Sequence, residues 1–211
     1  MTIERNPPKP PAVPPPLPGP VIVAAPGPLS IKRREAHPSN FSAHPRLCPR
    51  FVVVHATDGH EGFRKDDDVA AMFARADLKP HRSAHYVIDS DSVTRCVPDL
   101  MTAWHAGHTG NAHGIGIELC GRANQTRAQW LDELSLPMLC LAARLISDLC
   151  RQYSIEPVVA NERDLRAGRG GITTHSFVSL AWGESKHHDP GPGFPLGALV
   201  EAVRRDLLLV G

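Results

Sequence analysis

The chain has 211 residues, of which 42% are hydrophobic, enough for one globular domain with an additional segment. Its 23 basic and 22 acidic side chains leave a net charge of +1, which excludes the basic excess of a general nucleic-acid-binding protein. No stretch approaches the roughly 20 apolar residues that span a bilayer. We therefore expect neither nucleic acid nor a membrane as a partner.

The N-terminal region is rich in proline and has a different charge balance from the rest of the chain. Eleven of the 21 prolines lie between Pro7 and Pro28, and residues 1–50 carry seven basic and two acidic side chains. Proline is excluded from helix interiors and central strands. We therefore predict that residues 1–42 are a flexible extension, of which residues 1 to about 28 can be removed without loss of stability or activity. A ligand for a proline-recognising module is the alternative interpretation.

From residue 43 onward, hydrophobic periodicity predicts alternating strands and helices. The predicted strands are Phe51 to His55, residues 84–89 and 92–97 joined as a hairpin, and His113 to Gly121. The predicted helices are Asp66 to Ala76, a helix that follows the T-x-x-Q capping box at Thr126, and the C-terminal segment that begins at Pro195. Pro137 either starts a second helical stretch or kinks the first, and the helical pattern then continues to about Tyr153. This order predicts an α/β fold in which residues 43–211 form a single domain, with a central mixed β-sheet flanked by helices.

Polar residues interrupt this pattern on two of the predicted strands. His55 directly follows three valines at the carboxyl end of a strand, which is the usual edge for sites in α/β proteins. A structural histidine at a strand end is the alternative. Glu118 shares a strand face with Gly116 and Cys120, either as a solvated residue or as a general base that faces a cleft.

The third interruption is the segment from His175 to the Pro-Gly-Pro-Gly turn. It contains His175, Lys186, His187, His188 and Asp189, a density of metal-binding groups that a solvated loop does not require. Two histidines and a carboxylate form a common catalytic zinc set, and zinc suits amide hydrolysis because it lowers the pKa of a water to about 7 and polarises a carbonyl. The spacing alone does not select which of these residues bind a metal.

Five motifs occur in a fixed order along the chain: VVVHATDG, SAHYVI, AWHAG, IGIELCG and THSF…HHDPGPGF. Together they resemble the zinc-dependent N-acetylmuramoyl-L-alanine amidases, a family shared by phage endolysins, cytoplasmic anhydro-muropeptide amidases and peptidoglycan recognition proteins. The resemblance covers roughly residues 45–205. It implies a mixed sheet with one zinc ion (Zn²⁺) in a surface groove, and hydrolysis of the amide between N-acetylmuramic acid and L-alanine of the stem peptide. A non-catalytic peptidoglycan-binding module of the same fold is the alternative.

The resemblance also implies roles for individual residues. His55, His175 and Asp189 match the zinc ligands of the family. Glu118 matches the glutamate that orients or deprotonates the attacking water in the enzymatic members.

Two further matches concern the substrate. Trp104 and His105, in AWHAG, match residues of the groove floor that bind substrate. Many family members carry a lysine two residues before the ligand aspartate, where it stabilises the oxyanion. Here that position is His187, so we expect His187 to be catalytic, with Lys186 as the alternative.

The resemblance implies peptidoglycan or a soluble muropeptide as the partner, and we expect a monomer. The N-terminal sequence MTIERNPP lacks the basic region and apolar core of a secretory signal, so we expect synthesis in the cytoplasm. Action on the cell wall then requires a phage lysin or a delivered toxin. A cytosolic muropeptide-recycling amidase is the other setting.

Overall fold

The computed structural model describes residues 20–46 and 48–209. Its strands are β1 (Ile31–Arg33), β2 (Phe41–Ser42), β3 (Phe51–Ala56), β4 (Tyr86–Ile88), β5 (Val93–Arg95), β6 (Thr102–Ala103), β7 (Gly114–Leu119) and β8 (Gly171–Thr174). Its helices are α1 (Lys65–Phe73), α2 (Gly107–His113), α3 (Arg127–Trp130), α4 (Ser135–Tyr153), α5 (Glu162–Arg166), α6 (His175–Trp182) and α7 (Leu196–Leu209). Among the described residues, no helix combines the length and apolar character needed to cross a membrane.

Six strands form the central sheet in the order β1-β5-β4-β7-β3-β8. The β4–β5 pair is antiparallel and the other four pairs are parallel, so the sheet is mixed, as predicted. Strands β2 and β6 form a separate antiparallel pair. The α/β fold class is therefore confirmed.

The central strand β3 separates two hydrophobic cores because its side chains alternate between the faces of the sheet. Val52 and Val54 lie in the larger core, with apolar residues of α4 and α7. Phe51 and Val53 lie in the smaller core on the other face, with residues that include Val178 of α6. Helices thus cover both faces, which explains why β3 is a nearly continuous apolar run.

The predicted hairpin is present, and one carboxylate holds both its turn and the start of the neighbouring helix. Oδ1 of Asp89 accepts hydrogen bonds from the backbone N–H groups of Asp91 and Ser92 (3.1 and 2.9 Å). Oδ2 accepts from the N–H of Lys65 (2.7 Å), the first residue of α1. A carboxylate at this end of a helix also interacts favourably with the helix dipole.

The capping box at Thr126 is present, but the helix that it begins is short. α3 ends at Trp130, and the carboxylate of Asp132 then accepts from the N–H of Ser135 (2.9 Å), where α4 starts. Pro137 lies in the first turn of α4, where its missing N–H breaks no hydrogen bond. The indole of Trp130 is fully buried, so this residue packs in the core.

Residues 1–19 of the predicted extension lie outside the described residues, and residues 20–42 pack against the domain. Ile22 is only 2% exposed, and the N–H of Ala25 donates to the carbonyl of Cys140 in α4 (3.0 Å). β1 pairs with β5 at the edge of the central sheet. The packed chain therefore begins earlier than residue 43, because a short apolar run between prolines covers α4.

We predict that residues 20–28 contribute to stability, contrary to the expectation that they are dispensable. A protein that begins at Leu29 should have a free energy of unfolding about 2 kcal/mol lower than one that begins at Pro20, because it loses the burial of Ile22. Urea denaturation of the two proteins measures the difference. In the full chain, Ile22→Ala should cost about 2 kcal/mol. The control Val23→Ala, at a residue that is 63% exposed, should stay within about 0.5 kcal/mol. Equal stability of the two truncated proteins would contradict the prediction.

Candidate active site

The parallel strands β7, β3 and β8 end at the same edge of the sheet, and the polar side chains at their carboxyl ends form a row. The β3–β7 register pairs His55 with Glu118, and the β3–β8 register pairs Val54 with Thr174. His175 follows at once as the first residue of α6, which the Thr174 hydroxyl caps. Adjacent strands lie about 4.8 Å apart. Glu118, His55 and His175 therefore come together although they are far apart in sequence.

Asp189 reaches this row from the loop after α6. Its backbone carbonyl accepts from the N–H of Ser176 (3.1 Å), and its Oδ2 accepts from the N–H of Ala56 (3.3 Å). Gly191 follows with a φ of 83° and lies against Ala123, where a Cβ would be 1.9 Å from the carbonyl oxygen. Only glycine fits there, so the Pro-Gly-Pro-Gly turn fixes the position of the carboxylate.

The side chains of His55, His175 and Asp189 converge on one point. The two Nδ1 atoms are 3.1 Å apart, Nδ1 of His55 is 3.1 Å from Oδ2 of Asp189, and Nδ1 of His175 is 3.0 Å from Oδ1. Ligand atoms at 2.0–2.1 Å from a tetrahedral zinc ion are roughly 3.3 Å apart. The three residues therefore fit a zinc ion, and three protein ligands leave a fourth position for water or substrate.

We call His55, His175 and Asp189 the cluster. Its electrostatics favour the protonation states that bind metals. Burial lowers the pKa of His55 despite the opposing effect of Asp189, so the imidazole is neutral. Burial alone would raise the pKa of Asp189, but hydrogen bonds from His175 and His55 hold it well below its usual range. A neutral imidazole and an ionised carboxylate are both ready to coordinate a cation.

Each histidine of the cluster also has its second ring nitrogen in contact with a polar side chain. Nε2 of His55 lies 3.0 Å from Nδ1 of His105. Nε2 of His175 lies 2.9 Å from Oγ of Ser185. Ser185 carries no signal in the sequence, because a serine in a loop before histidines is common.

Glu118 lies beside the cluster in an environment that favours its protonated form. Its Oε2 is buried and has no hydrogen-bond partner among the described residues. Burial, together with the charge of Asp189, raises the pKa of Glu118 to about 8, although Arg82 opposes the shift. A carboxyl group with a pKa near neutrality is suited to taking up and releasing a proton.

The two candidate residues for the oxyanion, His187 and Lys186, are both exposed but have different neighbours. The ring of His187 stacks on His175, with centroids 4.7 Å apart and an angle of 14° between the planes. His187 also lines the groove beside the cluster. Lys186 is exposed, and it is not among the described residues that line the groove.

The cluster opens into a groove of about 900 Å³. Its walls come from the loop after β3, from α1, from the segment before β4 and from the turn after Asp189. Trp104 and His105 both line it. Trp104 donates its indole N–H to Oγ of Ser42 (3.2 Å), which leaves its ring in the wall, whereas His105 lies deeper, against His55.

Sequence patterns also missed a buried arginine behind the groove. The guanidinium of Arg46 donates to the carbonyls of Asp99 (2.7 Å) and Gly114 (2.5 Å) and lies against His85. Burial and this cation lower the pKa of His85 to about 3, so that imidazole is neutral. Arg46 thus ties the chain before β3 to the start of β7.

The raised pKa of Glu118 predicts a pH dependence of stability in the metal-free protein. A pKa of about 8 in the folded state exceeds the ordinary 4.5, so the stability it contributes is full below about pH 4.5 and is lost as the pH rises through 8. Relative to Glu118→Gln, the wild-type free energy of unfolding should fall by roughly 3–4 kcal/mol between about pH 5 and pH 8.

Urea denaturation in the presence of a chelator measures this difference. The control Glu133→Gln replaces an exposed glutamate and should follow the wild type at every pH. Curves for the wild type and Glu118→Gln that run parallel across this range would contradict the prediction.

Comparisons with solved structures agree with the fold. AmiA, a hydrolase of Staphylococcus aureus crystallised with its ligand, has a TM-score of 0.64 at 20% identity, covering 86% of this chain and 84% of that one. AmpD, as a selenomethionine derivative, has a TM-score of 0.58 at 22% identity, covering 82% and 94%. The N-acetylmuramoyl-L-alanine amidase LysC from Clostridium intestinale has a TM-score of 0.54 at 16% identity, covering 83% and 97%. At these identities the likeness shows the fold.

A comparison with curated proteins gives no significant match. The sequence profile of the family described as N-acetylmuramoyl-L-alanine amidase, however, matches residues 45–192, which is more than half of the chain. The five ordered motifs lie in or next to this region. The chain therefore belongs to the N-acetylmuramoyl-L-alanine amidase family.

Proposed function

We propose that the protein is a zinc-dependent peptidoglycan amidase that cleaves the amide between N-acetylmuramic acid and L-alanine of the stem peptide. The observation that carries the proposal is the convergence of His55, His175 and Asp189 in a groove that also holds Glu118. A complete set of metal-binding groups beside a carboxyl group with a raised pKa favours an enzyme over a non-catalytic peptidoglycan-binding module.

Three side chains would hold the ion: His55 and His175 through Nδ1, and Asp189 through its carboxylate. When bound, zinc lowers the pKa of a water molecule and polarises a carbonyl group. The positive charge would also favour the ionised form of Glu118, which is the form that a general base requires.

Glu118 would carry the proton during hydrolysis. It takes a proton from the attacking water as the oxygen–carbon bond forms, and it returns the proton to the amide nitrogen as the carbon–nitrogen bond breaks. The second proton of the water stays on the lactyl carboxyl group until that acid ionises and protonates the released amine. The products are therefore a lactyl carboxylate and the ammonium group of L-alanine.

His187 would stabilise the oxygen of the tetrahedral intermediate. Its ring stacks on His175 and lines the groove, so an N–H can point at the oxygen on which negative charge develops. Trp104, in the groove wall, would contact the substrate through its ring.

The proposal predicts one zinc ion per chain and cleavage of the lactyl–alanine amide. Elemental analysis of the dialysed full-length protein measures the metal, and mass spectrometry of digested muropeptides identifies the bond that is cut. His175→Ala should lose the zinc, because it removes one of three ligands. Glu118→Gln should keep the zinc and lose about 10²–10⁴-fold in turnover.

Full zinc occupancy in His175→Ala would refute the metal site. Retained turnover in Glu118→Gln would refute the role of the general base. Assays on intact sacculi and on soluble muropeptides, run in parallel, separate the possible settings. A lysin or a delivered toxin should cleave sacculi, whereas a recycling amidase should act on soluble muropeptides only.

His187 and Lys186 are distinguished by a second set of variants. His187→Ala should lower turnover by about 10²–10³-fold with zinc still bound, because one donor to the oxyanion is removed. His187→Lys should retain much of the activity and extend it to higher pH, because an ammonium stays charged where an imidazole is neutral. Lys186→Ala should change turnover little. A crippling Lys186→Ala together with a silent His187→Ala would reverse the assignment.

A further inference from the structure

His105 lies behind His55, where its ring can accept a hydrogen bond from the ring of His55. A metal bound at Nδ1 of His55 requires the ring proton to be on Nε2, which lies 3.0 Å from Nδ1 of His105. In that tautomer Nδ1 of His105 accepts, and the proton of His105 is on its Nε2, which is buried without a hydrogen-bond partner among the described residues.

Two residues hold His105 in this place. Oδ1 of Asn111 accepts from the backbone N–H of His105 (2.8 Å). The ring of His105 lies directly over Gly116 of β7, where a Cβ would be 2.6 Å from Cγ of the ring. A side chain at Gly116 would thus displace His105 from His55. Gly116, two residues before Glu118, therefore has a physical role, which is to leave room for the ring of His105.

The second histidine of the cluster is held by hydroxyl groups. Nε2 of His175 lies 2.9 Å from Oγ of Ser185, and that oxygen lies 2.6 Å from Oγ of Ser179. Ser179 belongs to α6, one turn after His175, whereas Ser185 belongs to the loop that leads to Asp189. The pair therefore links the helix that carries one ligand to the loop that carries another.

We propose that His105 and Ser185 are positioning residues that fix the rotamer and tautomer of His55 and His175, so that both Nδ1 atoms face Asp189 before a metal binds. Gly116 and Ser179 support them. The inference rests on the metal site of the proposed function. It competes with the sequence-based role of His105, which is contact with substrate. Partners of this kind around ligand histidines typically change metal affinity by 10- to 100-fold.

The test is the zinc affinity of the metal-free, full-length protein, measured by competition with a chromophoric chelator. His105→Ala and Ser185→Ala should each weaken zinc binding by about 10- to 100-fold. His105→Asn should stay within a few fold of the wild type, because its Oδ1 takes the place of the accepting Nδ1. Gly116→Ala should resemble His105→Ala. The control His60→Ala, at an exposed groove histidine, should bind zinc as the wild type does.

Ser179→Ala provides a graded comparison, because it removes only the second partner of the Ser185 hydroxyl. It should weaken zinc binding less than Ser185→Ala does. Circular dichroism in the presence of a chelator checks that each variant is folded. If His105→Ala does not fold, His105→Asn still tests this position. Steady-state KM values with a muropeptide complete the set.

The outcomes separate the inference from the function on which it rests. A wild-type protein without measurable zinc affinity would refute the proposed metal site. If the wild type binds zinc and His105→Ala and Ser185→Ala bind it equally well, only the positioning roles are refuted. A raised KM in His105→Ala with unchanged zinc affinity would assign His105 to substrate contact instead.

Discussion

The structure of the site depends on the parallel register of β7, β3 and β8. Because these strands run side by side with their carboxyl ends at one level, His55 lies next to Glu118 and beside the residue that follows β8. Side chains alternate between faces along a strand. A slip of one residue in β3 would turn His55 into the larger core and place Val54 in the groove. The apolar packing on both faces of β3 therefore fixes the polar site as well.

Two carboxyl groups in this groove have opposite environments, and this divides their roles. Asp189 accepts hydrogen bonds from two imidazoles, which hold its pKa below the usual range. Glu118 has a buried oxygen without a partner among the described residues, and its pKa rises to about 8. Groups whose pKa values are pushed apart in this way can be assigned different tasks. Here Asp189 is suited to holding a cation and Glu118 to moving a proton.

The site combines side chains on rigid elements with side chains on a constrained loop. His55 and Glu118 lie on central strands and His175 begins a capped helix, whereas Asp189 and His187 lie in a loop. Backbone hydrogen bonds at Asp189 and the close approach of Gly191 to a neighbouring carbonyl restrict that loop. Side chains that must be within a fraction of an ångström of one another require such support.

The sequence by itself determined the elements whose signals are local. The valines of β3, the hairpin with its Asp89 turn and the capping box at Thr126 are all visible in short windows, because strand propensity and capping act between near neighbours. The ordered motifs likewise identified the family and the groups available to bind a metal. The boundary between α3 and α4 has no comparable local signal, because it depends on the Asp132 carboxylate, which caps the start of α4 at Ser135.

Tertiary structure decided what depends on residues distant in sequence. The short helix α2 has two glycines in its sequence GHTGNAH, and Gly110 is needed there because a Cβ would be 2.9 Å from Val178. Ile22 is buried only because the packed domain offers an apolar surface to a segment rich in proline. Ser185 contacts His175 only because the loop folds back on α6. Such contacts leave no periodic or local signal, since they exist only once the chain is packed.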